Sequence, residues 1–194
     1  MRLSGRTYDW QLPLERAALA TAAELAAVRP GERLLDLATG TGGLLRELVA
    51  RGVRPGEAVG IDRSPSMLAV ARASLPGEWS LVRGDARRPP FEDRSFDVVT
   101  ACYLLHLLAP NDRIRVVGEM SRLLRPGGRA VTVTMESRRP VTRRLLGFLP
   151  RRFGLQPLDP ARELHAVALR PVRARFVRSG WASLCLLTER LPDA

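Results

Sequence analysis

The hydrophobic pattern alternates short apolar runs with longer segments in which apolar residues recur every three or four positions. The short runs are typical of buried parallel strands, and the longer period is typical of helices that pack on a sheet. Predicted strands cover 34–37, 58–61, 79–82, 95–101 and 130–135; predicted helices cover 14–28, 44–50 and 111–124, with another beginning at Ser64-Pro65. Val172–Ser179 and Trp181–Glu189 predict a C-terminal hairpin. The alternation predicts an α/β fold with a doubly wound, mostly parallel sheet.

The stretch Leu34–Leu45, with the sequence LLDLATGTGGLL, joins the first strand to its helix through a glycine turn. Gly40, Thr41 and Gly42 form the centre of this turn. Glycine lets the backbone approach a ligand closely, and the start of the following helix offers free N–H groups. We therefore expect a ligand at this turn.

The residues around the turn argue against a nicotinamide dinucleotide as that ligand. A dinucleotide fingerprint requires a third glycine where this chain has Leu45, and Asp36 lies just ahead of the turn. A carboxylate at this place repels a pyrophosphate, whereas it attracts a cationic ligand such as a sulfonium compound.

Two further acids follow the next two predicted strands. Asp62 ends the second strand, where a carboxylate lies beside the nucleotide cleft of a doubly wound sheet and accepts both ribose hydroxyls. Ser64 is predicted to cap the next helix, with Pro65 at its first position. Asp85 follows the third strand in the sequence Gly84-Asp85-Ala86.

Together these motifs resemble those of class I S-adenosylmethionine-dependent methyltransferases. The resemblance rests on the Asp36 glycine turn, VGIDRSPSML, Gly84-Asp85-Ala86 and HLLAPNDRIRVVGEMSRLLRPGG, and it covers roughly 34–135. It is closest to the group that includes the ubiquinone and menaquinone C-methyltransferases. It implies a Rossmann-like, seven-stranded sheet in which the last strand inserts antiparallel between strands five and six.

The resemblance also implies S-adenosylmethionine as cofactor, with S-adenosylhomocysteine as its product, and a set of site residues. Asp62 and its neighbour Arg63 would lie at the ribose, and Asp85-Ala86 would bind adenine through the carboxylate and the Ala86 N–H. Cys102 would lie near the transferable methyl group. In such enzymes a leading segment folds over the cofactor, so an aromatic such as Tyr8 or Trp10 would cover its methionine end; the alternative is that both rings only pack the first helix on the domain.

Candidate catalytic residues follow the fourth strand. Methyl transfer is an in-line displacement that depends mainly on proximity, so no acid or base is required. If the acceptor is a phenol or an enolisable carbon, His106 is the candidate base, and Tyr103 lies at the strand end beside it. The residue pattern favours the alternative in which His106 packs against its neighbours.

Composition restricts the remaining possibilities. The 194 residues suit one domain, divided into a helical lid segment (1–29), a cofactor-binding core (30–135), a variable segment (136–171) and the hairpin (172–194). Neither a spanning apolar run nor a signal peptide is found, so we expect a cytoplasmic protein. Cys102 and Cys185 form no metal-binding spacing and are expected to be reduced.

The net charge of +11 suggests a polyanionic partner, although all 31 basic residues are arginine, which is typical of GC-rich coding bias. The arginine-rich stretch 138–152 leaves three interpretations open: contact with RNA phosphates, contact with a membrane surface, or a solvated lid. Adenine- and cytosine-amino methyltransferases resemble one another in a Pro-Pro-aromatic motif that this chain lacks at 101–104, which argues against methylation of a base amino group.

The function predicted is methyl transfer to a small organic acceptor at carbon, oxygen or nitrogen. RNA or protein methylation and a non-catalytic module that binds S-adenosylmethionine are the alternatives, and the sequence leaves the oligomeric state open.

Overall fold

The structure is a computed structural model that describes residues 12–135, 168–179 and 181–192. The helices are α1 (Leu12–Ala26), α2 (Gly43–Ala50), α3 (Pro65–Ser74) and α4 (Pro110–Leu123), with a 3-10 turn at Leu105–Leu107 ahead of α4. The strands are β1 (Arg33–Leu37), β2 (Glu57–Asp62), β3 (Ser80–Arg83), β4 (Phe96–Cys102), β5 (Leu124–Met135), β6 (Leu169–Ser179) and β7 (Trp181–Arg190).

The seven strands form one sheet in the order β3-β2-β1-β4-β5-β7-β6. The first five pair in parallel, and β7 pairs antiparallel with both β5 and β6. This order confirms the predicted Rossmann-like sheet and the insertion of the last strand between the fifth and sixth. Because the order reverses direction at β1 and β4, the carboxyl ends of these two strands border the cleft in which such sheets bind ligands.

Both faces of the sheet are buried, which explains the continuous apolar runs of its central strands. Leu34 and Val98 pack with α1 and α2 on one face, whereas Leu35 and Val99 pack with α4 on the other. Successive strand residues point to opposite faces, so each strand contributes to both cores.

The observed ends of α1 and β5 differ from those predicted. Helix α1 ends at Ala26, and Ala27 has a φ of +43°. Arg129 donates to the Ala26 carbonyl, to the Ala27 carbonyl at 2.7 Å and to Glu32 Oε2 at 2.7 Å. A side chain about 100 residues away therefore satisfies carbonyls that the helix end leaves open.

Strand β5 begins at Leu124, six residues before its predicted start, because Leu124 pairs with Phe96. The pairing resumes at Arg129 with Val98, so the intervening Pro-Gly-Gly sequence bulges from the ladder, with Gly127 at a φ of +76°. Among the helices that the structure describes, none is long and apolar enough to cross a bilayer.

Candidate functional site

The glycine turn after β1 is held to the end of β2 by hydrogen bonds. Thr39 donates its N–H to the Ile61 carbonyl at 3.0 Å, and Gly40 donates its N–H to Asp62 Oδ2 at 2.9 Å. Gly40 and Gly42 have φ values of +57° and +83°, which glycine adopts without strain. The turn and the Asp62 carboxylate therefore form one wall of the cleft.

Asp62 also organises the start of α3. Its Oδ1 accepts the Ser64 N–H at 2.8 Å, and Ser64 Oγ in turn accepts the Met67 N–H at 3.4 Å, which makes Ser64 the N-cap as predicted. Each Asp62 oxygen accepts one of these hydrogen bonds, and a carboxylate oxygen has capacity for two. The half-buried side chain can therefore accept two further hydroxyl groups.

Asp36 lies inside β1, one residue before the strand ends at Leu37. The side chain is only 2% exposed, and Thr100 Oγ1 donates to its Oδ1 at 2.6 Å. Burial raises the pKa of Asp36 to about 6, the hydrogen bond from Thr100 opposes that shift, and the nearby Asp62 charge adds to it. The cleft therefore contains a carboxylate that is ionised at neutral pH at an energetic cost.

Asp85, after β3, is held by the guanidinium of Arg87. Arg87 Nη2 lies 2.6 Å from Asp85 Oδ2, and its Nε lies 3.0 Å from Oδ1. These bonds lower the pKa of Asp85 to about 2, so its carboxylate stays charged. Arg63, largely exposed, has its Nε 3.8 Å from Asp85 Oδ2, and Ala86 is buried.

The sheet order brings these acids to one edge. Asp36, Asp62 and Asp85 lie at or just after the ends of β1, β2 and β3, which are neighbouring strands that run in the same direction. The three acids therefore lie along the same edge of the sheet, and their roles remain predictions.

Beyond the acids, the end of β4 faces the first residues of β7. Cys102 is half-buried, and burial raises the pKa of its thiol. Tyr103 has a φ of +56°, donates its N–H to the Val133 carbonyl at 2.7 Å, and has its hydroxyl 3.0 Å from Ser183 Oγ. Burial raises the pKa of Tyr103 as well, so both groups are neutral at pH 7.

His106 lies in the 3-10 turn after β4 and is 3% exposed. Its Nδ1 accepts the Met135 N–H at 3.4 Å, and its ring meets the Tyr103 ring edge to face at 6.1 Å. Burial, with the nearby positive charge of Arg113, lowers the pKa of His106 to about 4. The imidazole is therefore neutral, and its Nδ1 already accepts a hydrogen bond from the backbone of Met135.

Glu15 is a buried acid near the ends of β4 and β5, and it was not among the site residues predicted from the sequence. Ala18, one turn further along α1, has its carbonyl 3.6 Å from Cys185 Sγ, and Cys185 pairs with Val133. A helix rises ~1.5 Å per residue, so Glu15 lies ~4–5 Å beyond Ala18, towards the carboxyl end of β5. The negative charge of Glu15 is a secondary cause, after burial, of the raised pKa of Tyr103.

One sequence signal could have identified Glu15. It stands three and four residues before Ala18 and Leu19, on the apolar face of the predicted helix, and it is 5% exposed in the structure. A polar residue on such a face is uncommon unless it has a partner or a function. No sequence pattern points to Ser183, because its partner Tyr103 is 80 residues away along the chain.

Some predicted features fall outside the described residues. These are Tyr8, Trp10 and the arginine-rich stretch 138–152. Within the described ranges, no group of histidine, cysteine and acidic side chains has the arrangement of a metal site.

A family model described as "Methyltransferase domain" matches residues 34–128. A ubiquinone/menaquinone biosynthesis C-methyltransferase of Ectopseudomonas mendocina is 40% identical over 116 residues, covering 57% of this chain and 44% of that protein. A demethylmenaquinone methyltransferase of Beutenbergia cavernae is 44% identical over 103 residues, covering 53% of this chain and 40% of that protein. The chain thus spans less than half the length of these two relatives.

Among solved structures, the fold is similar to geranyl diphosphate C-methyltransferase from Streptomyces coelicolor. The TM-score is 0.74 at 14% identity, over 91% of this chain and 76% of that one. That protein was solved in complex with Mg²⁺, geranyl-S-thiolodiphosphate and S-adenosyl-L-homocysteine. At this identity the likeness concerns the fold alone.

Proposed function

Because this chain carries a class I S-adenosylmethionine-dependent methyltransferase domain, we propose that it transfers the methyl group of S-adenosylmethionine to a small, largely apolar organic acceptor. The family, the enzyme class and the cofactor agree with the sequence-based predictions. The acceptor, its reacting atom and the roles of the individual residues belong to the proposal.

The observation that carries the proposal is the buried Asp36 carboxylate beside the glycine turn. Its hydrogen-bond donor is the neutral hydroxyl of Thr100, and in the described part of the chain no arginine forms an ion pair with it. A buried anion of this kind is expensive unless a cation compensates it. The amino and sulfonium groups of S-adenosylmethionine are such cations, so the site fits this cofactor.

The other acids fit the neutral parts of the same molecule. Asp62 keeps one acceptor position on each oxygen for the two ribose hydroxyls. Asp85 and the N–H of Ala86 would bind adenine, and Arg63 stands at the rim beside them. The Asp36 carboxylate, which no arginine of the described residues pairs with, at one end and the hydrogen-bond acceptors at the other orient the cofactor along the strand ends.

When bound, the cofactor supplies a methyl carbon that is already activated for displacement. The chain must hold an acceptor atom ~3 Å from that carbon and exclude water, and such positioning can account for several kcal/mol of barrier lowering. Cys102, Tyr103 and Met135, at the ends of β4 and β5, form the wall nearest to this place. Both the thiol and the phenol are neutral there, so neither competes as a nucleophile.

We assign His106 a positioning role and not that of a general base. With a pKa of about 4 it is a weak base, and its Nδ1 already accepts the Met135 N–H. The Nε2 atom then carries the proton and can donate a hydrogen bond. His106 thus fixes the end of β5 through its contact with Met135.

The apolar character of the acceptor is inferred from the loop after β4 and from the relatives. Leu107 is 58% exposed at this loop, with Leu104 and Leu108 beside it partly buried against the core. Ligand sites for apolar molecules are lined mainly by such apolar side chains, so this loop would suit an apolar acceptor. Because one relative is named as a C-methyltransferase of ubiquinone and menaquinone biosynthesis and another as a demethylmenaquinone methyltransferase, an enolisable or phenolic ring carbon is the acceptor we favour.

The test combines cofactor binding with methyl transfer. Isothermal titration measures the affinity of S-adenosylhomocysteine for the wild type, for Asp62→Ala and for Asp93→Ala, an exposed acid away from the cleft. We expect Asp62→Ala to weaken binding at least tenfold, since it removes two acceptors of hydrogen bonds and the anchor of the glycine turn. Asp93→Ala should bind like the wild type.

Transfer from methyl-labelled S-adenosylmethionine is then assayed with a reduced naphthoquinone, a catechol, a bulk tRNA and a protein extract. Label in the naphthoquinone ring supports carbon methylation, and label only in RNA or protein overturns the small-acceptor proposal. Equal affinity of Asp62→Ala and the wild type contradicts the ribose assignment. Tight binding without transfer to any acceptor supports the non-catalytic alternative.

A further inference from the structure

Arg87 is fixed between two acids at the adenine end of the cleft. Its guanidinium binds both oxygens of Asp85, and its Nη1 lies 3.0 Å from Asp112 Oδ2 in the first turn of α4. The paired contact with Asp85 has the geometry in which arginine and carboxylate bind most strongly and with least freedom. The loop after β3 is therefore joined to α4 through one side chain.

The hydrogen bonds that Asp85 accepts within the protein leave its carboxylate able to accept one more. Oδ1 accepts the backbone N–H and the Nε–H of Arg87, both at 3.0 Å. Oδ2 accepts the Nη2–H at 2.6 Å and shares the Nε–H at 3.1 Å, with the Nε of Arg63 at 3.8 Å. The three N–H groups of Arg87 therefore occupy three of the four acceptor positions of the carboxylate, and one position is left for a further donor.

A carboxylate with its orientation fixed in this way discriminates between purines. Adenine carries a 6-amino group, which donates a hydrogen bond, whereas hypoxanthine carries a 6-oxo group, which only accepts one. An oxo group placed against the carboxylate of Asp85 would meet a second acceptor, and the remaining acceptor position of Asp85 would have no donor. Such a mismatch costs about as much as the loss of one hydrogen bond to a charged group.

We propose that Arg87 is a positioning residue that holds Asp85 so that the site selects a 6-aminopurine over a 6-oxopurine. This inference rests on the proposed function, in which Asp85 binds the adenine of the cofactor. Asp112 contributes by holding the far side of the guanidinium, which keeps Arg87 from rotating into solvent or over the purine.

The experiment compares two ligands, S-adenosylhomocysteine and S-inosylhomocysteine, which differ in the group at position 6 of the purine and in the hydrogen that hypoxanthine carries on N1. Isothermal titration gives the affinity of each for the wild type, Arg87→Ala, Arg87→Lys, Asp112→Ala and the matched control Arg88→Ala. Arg88 is the exposed neighbour and has the same charge. Circular dichroism and thermal melting of each variant verify that it is folded.

We expect the wild type to prefer the adenine ligand by about tenfold to a hundredfold, as for a charged hydrogen bond. Arg87→Ala should lose most of that preference, mainly through weaker binding of the adenine ligand, and Arg87→Lys should keep part of it. Asp112→Ala should change the preference in the same direction by a smaller factor, and Arg88→Ala should leave it unaltered.

Two results would overturn the inference. The first is an unchanged preference in Arg87→Ala, whatever the loss of affinity, because a purely structural role weakens both ligands equally. The second is tighter binding of S-adenosylhomocysteine to Arg87→Ala, which would mean that Arg87 competes with adenine for Asp85. If the wild type binds neither ligand, the proposed function itself fails, and this outcome is distinct from the other two.

Discussion

Replacing Asp36 by asparagine should stabilise the ligand-free protein at neutral pH and weaken its binding of the cofactor. Asparagine has nearly the same shape as aspartate and keeps a side-chain oxygen for the hydroxyl of Thr100, which now donates to Asp36 Oδ1 at 2.6 Å. The substitution therefore removes the buried charge and leaves the packing in place. A gain of stability at a binding residue is the signature of a charge that is kept for function.

The size of the effect follows from the pKa shift of Asp36. Burial raises that pKa from the ordinary value of 3.8 to about 6. Between these two pH values the folded state holds a proton that the unfolded state has released, so the free energy of unfolding falls as the pH rises through this window. A shift of about two units at ~1.4 kcal/mol per unit amounts to ~3 kcal/mol.

The Asp36→Asn variant has no such titration. It should be more stable than the wild type by ~2–3 kcal/mol at pH 7–8, and the difference should shrink as the pH falls towards 4. For a chain of this length the gain corresponds to a rise in melting temperature of roughly 5–10 °C. Urea unfolding of both proteins from pH 4 to pH 8 measures the difference directly.

The control is Asp93→Asn, which changes a largely exposed carboxylate paired with Arg122 and should alter the free energy of unfolding by under ~1 kcal/mol. Isothermal titration provides the second half of the test. S-Adenosylmethionine should lose at least tenfold in affinity for Asp36→Asn, since its cationic groups lose their anionic partner. A variant that is less stable than the wild type at pH 8, or that binds the cofactor equally well, would refute the reasoning.

Two other predictions follow from the structure. Tyr103→Phe should cost ~1–2 kcal/mol in urea unfolding, because the buried hydroxyl of Ser183 loses its partner, while the affinity for S-adenosylhomocysteine stays unchanged and the KM of the acceptor rises. Arg129→Ala should destabilise the fold by ~2–4 kcal/mol, since it removes the ion pair with Glu32 and leaves two helix-end carbonyls without this donor. Arg125→Ala, which breaks a more exposed ion pair, should cost under ~1 kcal/mol. Because Arg129 lowers the pKa of Glu32, the loss of stability in Arg129→Ala should be largest above pH ~4.5 and should diminish as the pH falls below it.

Local chemistry explains which features of the site were predictable. The glycine turn, the N-cap at Ser64 and the acid at the end of β2 each depend on neighbouring residues in the chain, and each is where the sequence predicted it. The predicted alternation of strands and helices implied parallel strands, and the carboxyl ends of parallel strands lie at one edge of the sheet. The sequence was less informative about element ends, as at β5, where pairing with Phe96 extends the strand through a region read as a turn.

By itself, then, the sequence determined the order of strands and helices, the ligand-binding turn and the sign of charge around it, because backbone preferences and hydrophobic periodicity act over a few residues. Only the tertiary structure decided the protonation and partners of the functional groups. Burial in the sheet raises the pKa of Asp36, and contacts between distant segments join Arg87 to Asp112 and Tyr103 to Ser183. Solvent exclusion and the meeting of remote side chains are properties of the packed molecule, and no local pattern encodes them.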